Sequence, residues 1–412
     1  MANVQPKFEF VEGGVTAPLG FTAGTACCGI KPGNKTKLDL CIIKSDGPAN
    51  AAGIFTKNAV KAAAVTKTIS NLKNGTAQCI VANSGNANCC NKFEHEAADT
   101  TAELCANAVG VNPDDVLVAS TGVIGEVLNM DAVKKGIAQA SNAMSKENSS
   151  DCAAAIMTTD TVKKEFAVQL ELDGKQVKIG AIAKGSGMIH INMGTMLSFV
   201  TTDAAVAPEI LKTALLQAAE ETYNMVTVDG DTSTNDTLVI LANGLAQNKI
   251  ITEKNDDYKN FVAALTALFE KIARTLAKDG EGATKLIVTT VNNAKTAQQA
   301  KKIAKTVAGS SLVKSAMFGA DANWGRILCA VGYSGAAEDV SDVDVCFKSA
   351  SGSIAVCKKS KGLGFDEEKA TQILQQSEIE IIIDMHSGDQ TAHAYGCDLT
   401  YDYVKINGSY RT

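Results

Sequence analysis

Apolar and polar residues recur along this chain in two registers, one of period two and one near 3.6, and the two take turns from end to end. Runs of strand length stand at Leu38–Ile43, Cys79–Ala82, Asp115–Ser120, Leu238–Ala242, Lys285–Val291, Val343–Phe347 and Ile379–Asp384, and Ile327–Gly332 reads the same way. Helical spacing covers Glu94–Val109, Met130–Met144, Pro208–Tyr223, Tyr258–Ala277, Ala297–Val307 and Glu367–Gln376. Residues 10 to 60 read as short strands and turns, punctuated by Gly13-Gly14 and Pro18-Leu-Gly20. Asp173-Gly174 lies between the alternating runs Glu165–Leu172 and Gln176–Ile182, which predicts a tight hairpin, because both central positions of such a turn need positive φ. Strands alternating with helices predict an α/β fold of mixed sheets layered with helices.

Candidate chemistry collects in the breaks between these elements. Lys184 to Asp203 reads as strand, loop, strand, and holds Gly194-Thr195. Glycine reaches backbone angles other residues avoid, so a Gly-Thr bond can be held strained with the threonine hydroxyl near the preceding carbonyl, a geometry that suits self-cleavage; a plain turn is the alternative. Were the bond cut, the new α-amino group of Thr195, with an ordinary pKa of about 7.7 to 8.0, could serve as base for its own hydroxyl. Thr121-Gly-Val-Ile-Gly125 follows a strand and exposes a hydroxyl beside backbone N–H groups, which suits either a turn or an oxyanion hole. Asn83 to Asn88 follows another strand, as a binding loop or an Asx turn.

Other loops are read more narrowly. Asp229 to Asp236 has the look of a calcium loop but lacks its glutamate and spacing, so it is expected to be a hydrogen-bonded loop. Glu281, between two glycines, is either a solvated charge or a ligand for a cationic amine. Trp324, in Gly319-Ala-Asp-Ala-Asn-Trp-Gly-Arg326, packs in the core or lines a pocket. The end of the chain, from Thr391 to Thr412, is too patterned for a frayed tail and should be tied down.

Composition narrows the classes. The 412 residues, 45% hydrophobic, can bury a large core as two or three domains or one α/β body. A net charge of −6 on scattered basic residues disfavours nucleic acid and anionic membranes and favours small-molecule partners. The N-terminal residues show no signal sequence and no stretch reaches membrane-spanning length, so a cytoplasmic location is expected. The 12 cysteines form no CxxC or Cys/His cluster and are expected to be reduced, mostly buried thiols, with no structural metal.

The blocks KGSGMI with TML and TTDA around residue 195, VANSGNAN at 81–88, STGVIG at 120–125, IMTTDT at 156–161, TVDGDTSTNDT at 227–237, DGEGATK at 279–285, GADANWGR at 319–326 and GCDLTYDYVKIN ending in YRT resemble the ornithine acetyltransferase, or glutamate N-acetyltransferase, family over nearly the whole chain. The resemblance implies the self-cleaving N-terminal-nucleophile type of the aminopeptidase/ornithine acetyltransferase-like fold. It implies cleavage between Gly194 and Thr195 into an α chain, 1–194, and a β chain, 195–412, which stay associated as two α and two β chains.

It also implies ping-pong transfer of acetyl from N2-acetylornithine to glutamate in arginine biosynthesis, with Thr195 as nucleophile and Thr121 and Gly122 as the oxyanion hole. Thr158, Lys184, Thr195, Glu281, Asn407 and Thr412 would bind substrate: Lys184 a carboxylate, Glu281 the ornithine amine. No cofactor or metal is implied; acetyl-CoA enters as a second donor if the protein is bifunctional, as some members are. The chain departs from the family at His190-Ile191, where Ala-Pro is common, and at Gly194, often alanine. His190 so near the nucleophile invites a general-base role, but a hydrogen-bonded loop histidine is the favoured reading, since the α-amine fills that role. The competing function is an N-terminal-nucleophile amidase or aminopeptidase passing the acyl group to water; a non-catalytic binding protein is disfavoured by the intact nucleophile and oxyanion residues.

Overall fold

The computed structural model describes residues 7–190, 196–337 and 339–409. The expected cleavage position, Gly194-Thr195, and the expected substrate residue Thr412 lie outside the described residues. The fold class is the expected one, mixed α/β with helices layered on the sheets.

Among the described residues the larger sheet has nine strands. Its main path runs Phe8–Val11, Lys164–Leu172, Lys175–Lys184, Leu197–Thr202, Thr237–Ala242, Leu40–Phe55, Thr76–Asn83, Val116–Ser120, and Phe21–Ala26 pairs with Leu40–Phe55 off that path. Chain from after position 195 is therefore interleaved with chain from before it: Leu197–Thr202 pairs with Lys175–Lys184 on one side, and Thr237–Ala242 pairs with Leu40–Phe55. The Asp173-Gly174 hairpin forms as expected, with φ of 49° and 69° at its two central residues.

Leu40–Phe55 is one 16-residue strand where short strands and turns are expected. It bends at the irregularity between Lys44 and Ala49, where Gly47-Pro48 sits. The bend curls the sheet, so Ile43, Ile80 and Leu117 from one part share a core with Ile182, Phe199 and Val239 from the other. That curl brings the ends of distant strands to one place.

A second sheet, of six strands among the described residues, runs Lys361–Gly362, Gly352–Lys358, Asp344–Ser349, Glu378–Asp384, Leu286–Ala294, Gln390–Cys397. Helix Asp256–Lys278 joins the two sheets in one core. Its buried positions Tyr258, Phe261, Val262, Leu265, Leu268, Phe269, Ile272 and Leu276 keep the three-and-four spacing of an amphipathic helix. Asn255 caps it, Oδ1 accepting from Tyr258 N–H at 2.9 Å. Burying each large side chain of that stripe contributes about 2 kcal/mol.

Two expectations need correction. Ile327–Gly332 is not a strand but part of helix Trp324–Tyr333, capped by Asn323, whose Oδ1 accepts from Arg326 N–H at 3.1 Å. Its buried residues Ile327, Ala330 and Val331 have helical spacing, and a six-residue apolar run cannot distinguish the two periods without its cap. The C-terminal segment is tied down as expected, but as a helix, Tyr401–Ser409, with no buried residue of its own. The twelve cysteines are free thiols, seven of them buried.

Candidate active site

A cavity of about 110 Å³ opens where the curled sheet brings strand ends together. Its wall includes Thr121, Gly122, Thr158, Lys184, Glu281 and Asn407, so every expected site residue within the described residues meets in one place. Met196 and Leu197 line it too, which puts the chain immediately after position 195 at the same wall.

Thr121 and Gly122 leave the strand Val116–Ser120. Thr121 N–H donates to Asn83 O at 2.9 Å, and Asn235 Nδ2 donates to Ser120 O at 2.8 Å, so two other segments of the chain hold this turn. Gly122 has φ of 127°, and a Cβ there would stand 2.8 Å from the Asn86 nitrogen. Only glycine fits. The Asn83–Asn88 loop thus acts as a support for the turn.

Lys184 ends its strand opposite Leu197, and Leu197 in turn pairs with Thr237. It is 9% exposed, and its Nζ donates to Thr121 Oγ1 at 3.2 Å. Burial pulls its pKa below that of an ordinary lysine, while the Asp160 carboxylate works against that loss.

Behind Lys184 lies a buried ionic hub absent from the sequence reading. Lys164, fully buried, places Nζ 2.8 Å from Asp160 Oδ1 and 2.6 Å from Asp279 Oδ2. Asp160 also accepts from Gly185 N–H at 2.7 Å and Thr158 N–H at 3.0 Å. Asp279 accepts from Thr161 N–H, and its backbone carbonyl accepts from Ser186 Oγ at 2.7 Å; Ser186 O in turn accepts from Glu281 N–H at 2.9 Å. One lysine therefore ties together the segments bearing Thr158, Lys184 and Glu281. Burial opposes the Asp160 charge, but Lys184 and Lys164 outweigh it and hold the carboxyl down to about 2.

Glu281 takes the site-facing reading. Its Oε2 accepts from Asn407 Nδ2 at 2.7 Å, and its carboxyl lies where a Cβ on Gly187 would stand 2.4 Å away. Gly282, with φ of 69°, lets the C-terminal helix close in, since a Cβ there would meet Tyr403 N at 2.6 Å. This is how an exposed helix delivers Asn407 to the cavity.

Asp236 also lines the cavity and was missed. It is 2% exposed, and burial drives its pKa well above the usual carboxylate range. A faint signal existed: a lone acid at the entrance of the apolar strand Thr237–Ala242. Lys164 had none, because nothing local marks which lysine of Lys163-Lys164 turns inward.

Other candidates fall elsewhere. His190 lies on the short strand Ile189–His190 rather than a loop, and does not line the cavity. Its Nδ1 is 3.0 Å from Thr227 Oγ1, and burial, aided by the Lys305 charge, lowers its pKa to about 4. The 229–236 segment is hydrogen-bonded as expected: Asp229 Oδ2 accepts from Met188 N–H at 2.6 Å and Oδ1 from Ile189 N–H at 2.9 Å. Trp324 packs its ring on Gly362, outside the cavity.

Comparison with known proteins identifies the family of the chain. The sequence profile of the ArgJ family matches residues 22–412. The arginine biosynthesis bifunctional protein ArgJ of Symbiobacterium thermophilum is 50% identical over 406 residues, covering 98% of this chain and 100% of that protein. Among solved structures, ArgJ of Bacillus halodurans is 47% identical with a TM-score of 0.49, covering 52% of this chain and 98% of that one. The ornithine acetyltransferase of Mycobacterium tuberculosis, solved with ornithine, is 37% identical with a TM-score of 0.41, covering 44% of this chain and 97% of that one. The chain belongs to the ArgJ family, and is an enzyme of the kind those bifunctional arginine-biosynthesis proteins represent.

Proposed function

We propose that this enzyme transfers an acetyl group from N2-acetylornithine to glutamate through an acetyl ester on Thr195, after cutting itself between Gly194 and Thr195. The observation that carries the reading is the convergence of Thr121, Gly122, Lys184, Glu281 and Asn407 on one cavity whose wall also holds Met196. The α-amine of Thr195 takes the proton of its own hydroxyl as that oxygen attacks the acetyl carbonyl. Thr121 and the Gly122 N–H hold the oxyanion, each donor lowering the barrier by about 3 kcal/mol. Ornithine departs and the glutamate amine attacks the ester.

Lys184 supplies a charge for the α-carboxylate, and Glu281, steadied by Asn407, one for the ornithine side-chain amine. Thr158 stands at the same wall, and Thr412 completes the set by resemblance. Side-chain and backbone groups carry each step, without a cofactor. The family name, a bifunctional protein, supports acetyl-CoA as a second donor, and the reading carries with it a cytoplasmic enzyme of two α chains, 1–194, and two β chains, 195–412. Among the described residues no helix is long and apolar enough to cross a membrane.

The test is acetylglutamate formation, assayed separately with N2-acetylornithine and with acetyl-CoA, alongside denaturing electrophoresis and N-terminal sequencing. The expected result is two fragments, the second beginning at Thr195, and transfer from acetylornithine. An active protein of one uncut band, or donor hydrolysis without transfer, overturns the reading.

A further inference from the structure

The wall of this cavity holds a carboxyl oxygen without a hydrogen-bond partner among the described residues. Asp236 Oδ2 is buried and makes no hydrogen bond of good geometry, although the residue borders the same space as Thr121 and Lys184. Native proteins rarely bury such an atom unmatched, and the exceptions cluster where the atom is used. The strand register says where it stands. Thr237 pairs with Leu197, and Thr237 N–H donates to Met196 O at 2.8 Å, so Asp236 sits beside the residue that directly follows position 195. Glu281, the cavity's other carboxylate, is engaged by Asn407.

We propose that Asp236 is a further catalytic residue of the acetyl transfer, its Oδ2 protonating the departing amine nitrogen of the donor and then taking a proton from the attacking amine of the acceptor. The proposal rests on the acetyl-transfer reading above. An amide nitrogen is a poor leaving group until it is protonated, so a positioned acid is what this donor demands and an activated ester does not. Burial favours the protonated form of this acid, against the pull of the Lys184 charge, the Ser233 and Thr56 hydroxyls and the Met196 N–H.

The protons balance over the cycle. In the first half the nucleophile's oxygen bonds to the acetyl carbon as the carbon–nitrogen bond breaks; the hydroxyl proton goes to the α-amine and the donor nitrogen takes the proton of Asp236. In the second half the acceptor nitrogen bonds to the acetyl carbon as the ester bond breaks. Asp236 recovers its proton from that nitrogen, and the α-ammonium returns the other to the hydroxyl.

The experiment compares wild type, Asp236→Asn and Asp236→Glu with N2-acetylornithine and with p-nitrophenyl acetate as donors, rates being referred to cleaved chain on denaturing gels. Read on the first half-reaction alone, Asp236→Asn should lose about 100-fold or more in single-turnover release of ornithine from the amide donor and only a few-fold in burst release of p-nitrophenolate, which leaves without a proton; Asp236→Glu should recover much of the loss. The wild-type amide rate should fall as rising pH strips the acid, a limb missing from Asp236→Asn. Lys184 and Glu281 line the same cavity and remain in all three proteins, so a limb due to either survives the substitution. Equal losses with both donors, or full activity in Asp236→Asn, overturn the role of Asp236 alone. A wild type that transfers from neither donor overturns the acetyl-transfer reading instead.

Discussion

Lys184 Nζ and Thr121 Oγ1 stand 3.2 Å apart, and the lysine is necessarily the donor. An ammonium group has no lone pair, so Thr121 spends an acceptor site on Lys184 and keeps its own O–H to donate elsewhere. The residue proposed to grip a carboxylate thereby also orients and polarises the residue proposed to hold the oxyanion.

Lys184→Met should therefore raise KM and lower kcat together, with a combined loss of about 100-fold in kcat/KM, since hydrogen bonds to charged groups are worth about 1.5–3 kcal/mol. Steady-state kinetics with acetylornithine checks it; a change in KM alone would separate the two residues. Because burial lowers the lysine's pKa, KM in the wild type should rise with pH below the ordinary lysine range, and Lys184→Arg should flatten that rise.

Lys164→Met breaks the hub. It leaves the Asp160 and Asp279 carboxylates buried without their cation, at a cost of about 3–5 kcal/mol in chemical denaturation. The triple variant Lys164→Met, Asp160→Asn, Asp279→Asn should regain part of that loss.

Asp160 gives the hub a pH signature. Its folded pKa of about 2 lies below the ordinary value of 3.8, so its contribution, about 2 kcal/mol, is present above pH 4 and lost as pH falls towards 2. Acid unfolding of Asp160→Asn should lack that component; the same acid slope in the variant would count against it.

Gly122→Ala puts a methyl group 2.8 Å from the Asn86 nitrogen at a φ of 127°. The turn must shift, and kcat should drop about 100-fold, the scale of losing one oxyanion donor, with far-ultraviolet circular dichroism unchanged. A variant of normal kcat would remove Gly122 from that role.

His190→Gln should keep acetyl transfer within about threefold of wild type, because the imidazole is engaged with Thr227 and does not border the cavity. Its folded pKa of about 4 lies below the ordinary 6.5, so the stability it contributes is present above pH 6.5 and lost as pH falls towards 4. The variant should lose less stability over that range, as read by thermal melts.

Much of this enzyme is legible locally. The long helix Asp256–Lys278 shows its stripe, Asp173-Gly174 announces its hairpin, and Thr121-Gly122, Lys184 and Glu281 stand in breaks where chemistry is expected. These follow from backbone periodicity and turn preferences, which neighbouring residues set among themselves. Other features are not local. Ile327–Gly332 became a helix through its cap and its neighbours, and the C-terminal residues became a helix lying on Gly282.

The decisive relationships cross long stretches of chain. Lys164 meets Asp279 across 115 residues, Asn407 meets Glu281 across 126, and Asp236 comes beside Met196 only through strand register. Whether a given lysine or aspartate is buried, paired or left unmatched depends on which strands and loops pack around it, a property of the assembled sheets rather than of any one strand. Sequence by itself determined the chemical groups and the elements that carry them. Tertiary structure alone decided which groups share a low-dielectric space, and therefore which keep, lose or exchange a proton.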